Sequence, residues 1–335
     1  MKLLRITALV ITIALGGYAQ AATLNDAIEK PYAAPEFEGL AGWLNSPTLT
    51  MGALKGKVVL VDFWTYSCIN CIRTLPYINQ WHEKYHDKGL VVIGVHTPEF
   101  EFEKSEENVK AALVKYGIHY PVALDSHLAV WNAYANHYWP AHYLIDQKGN
   151  VVSTHFGEGH YAETEQNIRT LLGLPHEEAI KPDPNVSSNT QTPETYLGSA
   201  RAASYGGKLP LKEGKGSYQF PVFLPLHHWA LQGDWAVESE KITATSANAS
   251  LRINFQAKQV FLVLGSATGK PVHAALHVNG QPLSDLAGND IHDSKLTISN
   301  HRLYTLVSQK ALQNSLLEIT ADEPGLEAYA FTFGS

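Results

Sequence analysis

Thiols are scarce in this chain: its 335 residues hold two cysteines and two methionines. An exported fold held by disulfide staples needs several cysteine pairs, so that class is excluded and stability has to come from apolar cores. A basic surplus is absent as well. Lys and Arg number 25 against 32 Asp and Glu, a formal charge of −7, so neither nucleic acid nor an anionic membrane is an expected partner. Beyond residue 21 no apolar run reaches the ~20 residues that a bilayer span requires. Repeats of fixed period and low-complexity tracts are also missing. Apolar sequence is plentiful: 45% hydrophobic residues over this length suffice for about two domains, each with its own core.

The first 21 residues combine Lys2 and Arg5, an apolar stretch over 9–15, and the small-x-small end Ala19-Gln20-Ala21. That three-part pattern predicts a secretory signal peptide cleaved near Ala21. Loss of its two cations would take the charge from −7 to −9. The expected product is soluble and periplasmic or otherwise extracytoplasmic.

From residue 56 to about 174, short β-rich runs alternate with longer amphipathic stretches, which argues for an α/β domain. Strands are predicted at 58–63, 90–96, 120–124, 141–146 and 151–156. Ile72, Leu75, Ile78, Trp81 and Tyr85 recur at helical spacing between the first two, and further helices are expected at 105–116, 127–136 and 161–172. Residues 146–150 read as a hairpin turn. Pro175, Pro182, Pro184 and Pro193 then deny the chain a regular ladder and mark a boundary. Past it, the segments 251–255, 259–264, 273–278, 303–308, 315–320 and 327–333 are short, partly alternating and separated by turn residues, among them Asn279-Gly280. The expected division is an α/β domain over 35–175, a linker over 176–215 and an all-β sandwich over 216–335.

Both cysteines fall in one motif, Cys68-Ile69-Asn70-Cys71, directly after the apolar run 58–63 and at the start of the first predicted helix. Strand, CxxC, then helix puts a thiol beside unsatisfied helix N–H groups, whose partial positive charge favours its anion. On that reading Cys68 is the nucleophile, and Cys71, one turn inside the helix, resolves the mixed disulfide. Asp62 interrupts an otherwise apolar strand six residues earlier. A carboxylate buried there is desolvated and suited to exchanging protons with Cys71.

These residues resemble thioredoxin: Val61-Asp62-Phe63-Trp64, the CxxC spacing, Pro76 five residues after Cys71, and Trp139-Pro140 ahead of a strand. The resemblance implies that Asp62 is a buried proton carrier, that Pro76 kinks the helix, and that Pro140 is cis and faces the thiols. It also implies that Trp64, Trp139 and Pro140 meet the substrate chain. The helix predicted after the second strand is similar to that of TlpA- and ResA-type reductases. That likeness implies a proton-transfer role for Glu99 in Val95-His96-Thr97-Pro98-Glu99, although Glu101, Glu103, Glu106 and Glu107 nearby read as a solvated acidic face.

A closer resemblance, to the extracytoplasmic part of DipZ-type disulfide reductases, covers nearly the whole chain after the signal. It is carried by 63–71, 94–99, Tyr138-Trp139-Pro140-Ala141, Phe156-Gly157-Glu158-Gly159 and 192–198. It implies a thioredoxin-like α/β domain followed by a jelly-roll-like sandwich similar to carbohydrate-binding modules. It further implies thiol or disulfide substrate proteins, no cofactor, and a membrane electron donor of the CcdA type, here supplied by a separate chain.

Three other readings compete. A peroxidase would use Cys68 with Thr65 three residues before it, but the proline of the peroxiredoxin PxxxTxxC pattern is replaced by Val61. Zinc at Cys68, Cys71, His82 and His86 fails on length, since eleven helical residues set His82 about 16 Å from Cys71; Cu(I) on the two thiolates stays chemically open. A sugar-binding sandwich would offer Trp229, Trp235, Tyr304 and Tyr329 as stacking rings, a reading that complete burial of those rings would count against.

Overall fold

A computed structural model describes residues 24–175 and 190–334, so the expected signal segment and residues 176–189 of the expected linker lie outside the described residues. The first domain is built on seven strands, β1 (Ala27–Ala33), β2 (Gly42–Leu44), β3 (Val58–Trp64), β4 (Leu90–His96), β5 (Val122–Leu124), β6 (Ala141–Ile145) and β7 (Asn150–Phe156). They are joined in the order β1-β7-β6-β3-β4-β5-β2. β3, β4 and β5 run parallel, whereas β6 is antiparallel to β3 and β7 to β6.

β3 lies at the centre and is buried along its whole length, which is why its sequence runs almost continuously apolar instead of alternating. Its even residues Val58, Leu60 and Trp64 pack under three helices, α1 (Ile69–Tyr85), α2 (Glu106–Tyr116) and α4 (Tyr161–Leu171). Its odd residues Val59, Val61 and Phe63 pack against the short α3 (Ala129–Ala133) and the chain ahead of β3. Asp62 therefore belongs to the α1 face.

The predicted elements of this domain are present with small shifts at their ends. The helix expected over 127–136 is the exception: α3 keeps five residues, because Asp125 caps it by accepting from the Val130 and Trp131 N–H groups, and Ala135 turns left-handed. The sheet also takes in β1, which pairs with β7 from residues ahead of position 35.

The second domain is all-β, with eleven strands in one continuous sheet. Four of the predicted short strands merge into two long ones. Ser250–Ser266 and Arg302–Ala321 pair antiparallel along most of their length, with register shifts near 257–261. Strand Ser250–Ser266 changes partners along its length: its first half pairs with Trp229–Val237 and its second with Leu326–Gly334. That change folds the sheet around a core that includes Trp229, Trp235, Phe255 and Phe331. The Asn279-Gly280 hairpin is present, with φ of 52° and 77° at its two residues, as a two-residue turn with both φ positive requires. Thr195–Tyr196 also joins this sheet, beside Ala330 and Phe331.

Aromatic residues join the two domains. Phe100 and Phe102, just after β4, pack edge-to-face against Tyr329 with ring centroids 5.2 and 5.0 Å apart. Tyr329 is thus a joint between domains. With Trp229, Trp235 and Tyr304 it is at most 3% exposed, so the rings named for sugar stacking are enclosed and offer no face to a sugar.

Candidate active site

α1 begins at the thiols. Cys68 is its N-cap, in extended conformation, and its Sγ accepts a hydrogen bond from the Cys71 N–H at 3.3 Å. The Cys68–Cys71 pair is at 2.7 Å, both thiols free, Cys68 half-buried and Cys71 fully buried. Pro76 lies inside the helix, as the resemblance implies.

The expectation that the helix end would favour a Cys68 anion is corrected by the surroundings. Burial pushes the Cys68 thiol up, the hydrogen bonds from Cys71 pull it down, and the charges of Glu99 and Glu194 push it up again, with a net upward result. Cys71 lies well above the ordinary thiol value through burial first, then its neighbour Cys68 and the charge of Asp62. Both thiols are raised, and Cys71 is the harder of the two to ionise.

Cys68 opens into a cavity of about 240 Å³ whose walls come from both domains. Glu99, Tyr138 and Trp139 face Glu194, Tyr196 and Arg201 across it. Glu99, its side chain 8% exposed, accepts from Tyr196 Oη at 2.6 Å and from Arg201 at 2.8 Å. Tyr196 Oη also lies 2.9 Å from Glu194. One hydroxyl has one proton, so it cannot serve two ionised carboxylates together. Burial, then the charge of Glu99, raises Glu194 to about 7.

Trp139-Pro140 is cis, in agreement with the resemblance. Pro140 is buried, its carbonyl accepting from the Gly157 N–H at 2.9 Å, while Trp139 reaches the cavity wall and donates its indole N–H to the Thr97 carbonyl at 3.0 Å. Trp64 needs correction. It is fully buried beside His96 and over Gly94, so it packs the site from beneath and cannot touch a substrate. Asp62 is buried on the α1 face, with His142 Nε2 3.2 Å from its Oδ1.

One buried acid escaped the sequence reading. Glu103, placed there on a solvated face, is fully buried and accepts from Ser67 Oγ at 2.6 Å and from the N–H groups of Glu99 and Phe100 at 2.7 and 3.1 Å. It ties the residue before Cys68 to the loop that carries Glu99. Burial raises it to about 7. The alternation Glu99-Phe100-Glu101-Phe102-Glu103 is the signal that one of these acids turns inward.

The peroxidase reading loses its threonine: Thr65 Oγ1 lies 3.3 Å from His96 Nε2, and His96 is held down to about 3 by burial. No group of three metal-ligating side chains among the described residues includes Cys68 or Cys71.

A CxxC at the N-terminus of the helix that follows a central parallel strand, with a cis-proline on the neighbouring strand, defines a thioredoxin-like redox fold. Thiol-disulfide oxidoreductase YkuV of Bacillus subtilis is 33% identical over 125 residues, 37% of this chain and 82% of YkuV. The chain belongs to the thioredoxin-like thiol-disulfide oxidoreductase family. Residues 31–172 match the Redoxin family and residues 192–334 the family described as thioredoxin like C-terminal domain. Protein DipZ of Mycobacterium tuberculosis is 37% identical over 318 residues, 90% of this chain but 43% of DipZ, so the chain spans less than half of that relative. The solution structure of a thioredoxin-like protein in its oxidized form is 30% identical and covers 44% of this chain and 98% of its own, with a TM-score of 0.41.

Proposed function

We propose that this protein reduces disulfides of extracytoplasmic proteins through Cys68 and Cys71. One observation carries the direction: Glu99 and Glu194 share the cavity wall with Cys68, and with burial they push its thiol up. Strong oxidants have a thiolate stabilised in the reduced form; a thiol that is not so stabilised releases its electrons more readily. Cys68 attacks the substrate disulfide, Cys71 loses its proton to Asp62 and displaces the substrate thiol, and the pair closes as a disulfide. Glu99 tunes Cys68 by its charge, and Glu194, raised to about 7, can hold a proton at the cavity. Trp139 and the Pro140 turn receive the substrate chain.

Export rests on the signal pattern of residues 1–21, and the described residues contain no helix long and apolar enough to cross a membrane. A membrane electron donor of the CcdA type is carried over from the DipZ resemblance. The likeness of the second domain to carbohydrate-binding modules is taken as one of fold only, since its candidate stacking rings are enclosed. We assign that domain the far wall of the thiol cavity.

The test is a trap. Cys71→Ser should accumulate a mixed disulfide between Cys68 and a substrate protein, and the reduction potential of the wild-type pair should lie near thioredoxin, about −270 mV, and well below the oxidant DsbA, about −120 mV. A potential near the DsbA value, or full exchange activity in Cys68→Ser, would sink the proposal.

A further inference from the structure

Asp62 is buried, and the Cys71 proton it is read as accepting has to leave the core. The sheet register supplies a route. Asp62 on β3 stands directly opposite His142 on β6, and His142 stands directly opposite His155 on β7. Directly paired residues project from the same face of a sheet, so one carboxylate and two imidazoles form a row across three adjacent strands. At its outer end, His155 stacks on His160, which precedes α4, with ring centroids 4.7 Å apart. Asp26, just ahead of β1, brings its Oδ2 to 3.8 Å from His155 Nδ1 and 3.4 Å from His160 Nδ1.

The row passes from enclosed to open. His142 is 2% exposed, the His155 side chain 14% and the His160 side chain 57%. Inside, hydrogen bonds are missing: Asp62 Oδ1, both nitrogens of His142 and Nε2 of His155 are buried without an aligned partner. Buried polar groups are as a rule fully paired, so unmade bonds of this kind point to a task other than packing. The His142 and His155 rings lie 6.0 Å apart between centroids, near enough for a proton to pass between them through one water. Other titratable groups facing the row are Cys71 from α1 and Tyr120 from the loop ahead of β5, both within the field of Asp62. The Glu158 backbone contacts His155, and burial followed by the charges of His142 and His160 holds His155 below its ordinary value, ready to pass a proton on.

We propose that Asp62, His142, His155 and the Asp26–His160 pair form a relay that carries the Cys71 proton across the sheet to solvent. This rests on the reading of Asp62 as the proton acceptor of Cys71. In each turnover the dithiol gives two electrons to the substrate disulfide and sheds two protons. The Cys68 proton leaves through the cavity and the Cys71 proton along the relay, while the two product thiols take up two protons from solvent.

The experiment follows the closing step by itself. Cys68 is loaded as a mixed disulfide with a small aromatic thiol, and release of that thiol by Cys71 is timed against pH in the full-length protein. His142→Gln and His155→Gln should slow release ~10-fold near neutral pH, while alkylation of Cys68 keeps its wild-type pH profile. Added imidazole should restore His155→Gly in a saturable way. His155 is on the rim, so its variants keep the test decisive if His142→Gln fails to fold. Wild-type release rates in His155→Gln, or slowing that imidazole does not relieve, overturn the relay. If Asp62→Asn also releases at the wild-type rate, the reading of Asp62 falls with it; if Asp62→Asn alone is slow, only the relay falls.

Discussion

The Tyr196 hydroxyl donates to Glu99 Oε1 at 2.6 Å, binding a residue of the second domain to a carboxylate on the wall of the thiol cavity. The two domains therefore build one site. Glu99 could not keep its buried position beside Cys68 without the hydroxyl and the Arg201 guanidinium that the second domain brings.

Removing the carboxylate field should free Cys68. Glu99 and Glu194 both push its thiol up, so Glu99→Gln and Glu194→Gln should each move the midpoint of iodoacetamide alkylation to lower pH. Alkylation below that midpoint should speed up roughly threefold. An unchanged midpoint in the double variant would mean that the charges do not reach Sγ.

Stability should fall as pH rises through neutrality. Glu103 and Glu194 have folded values of about 7 against 4.5 for the free side chain. Between those limits the folded state binds more protons than the unfolded one. Their contribution is thus complete below about pH 4.5 and lost by about pH 7, on the order of 3 kcal/mol for fully enclosed Glu103. Urea midpoints should be higher at acid than at neutral pH, and Glu103→Gln should flatten that part of the profile. A midpoint rising across this window would contradict the assignment.

Gly94 sits under the site. A Cβ there would meet Trp64 Nε1 at 2.9 Å and Tyr120 Cε2 at 3.0 Å, both on enclosed rings with no room to retreat. Gly94→Ala should cost about 1–3 kcal/mol in chemical denaturation. A melting curve identical to wild type would show that the rings can give way.

Phe100 tests the joint between domains. It is 2% exposed, packs edge-on to Tyr329 and has the Arg201 guanidinium 5.4 Å from its ring centroid. Truncation to Ala should remove about 3–5 kcal/mol and lower disulfide exchange further by loosening the Glu99 wall. Exchange unaffected in a folded Phe100→Ala protein would show that the thiols work without that wall.

Local chemistry was readable along the chain. The CxxC after an apolar run, the lone acid in that run, Trp139-Pro140 and the Asn-Gly turn depend on neighbours within a few residues, so strand, helix start and hairpin followed from pattern. Partial alternation announced the strands of the second domain but not their merging, because partner changes at bulges depend on strands far away along the chain.

The sequence by itself determined the thiol pair and the class of fold, because those are set by spacing and periodicity. Tertiary structure alone decided the electrostatics. Burial turned a thiol expected to be acidic into a raised one, took Glu103 out of an acidic surface and enclosed Trp64. It also placed Glu194, Tyr196 and Arg201 across from Cys68 and lined up Asp62, His142 and His155 across three strands. Desolvation and the field of a charge act through space, and no local pattern records which distant side chains will share that space.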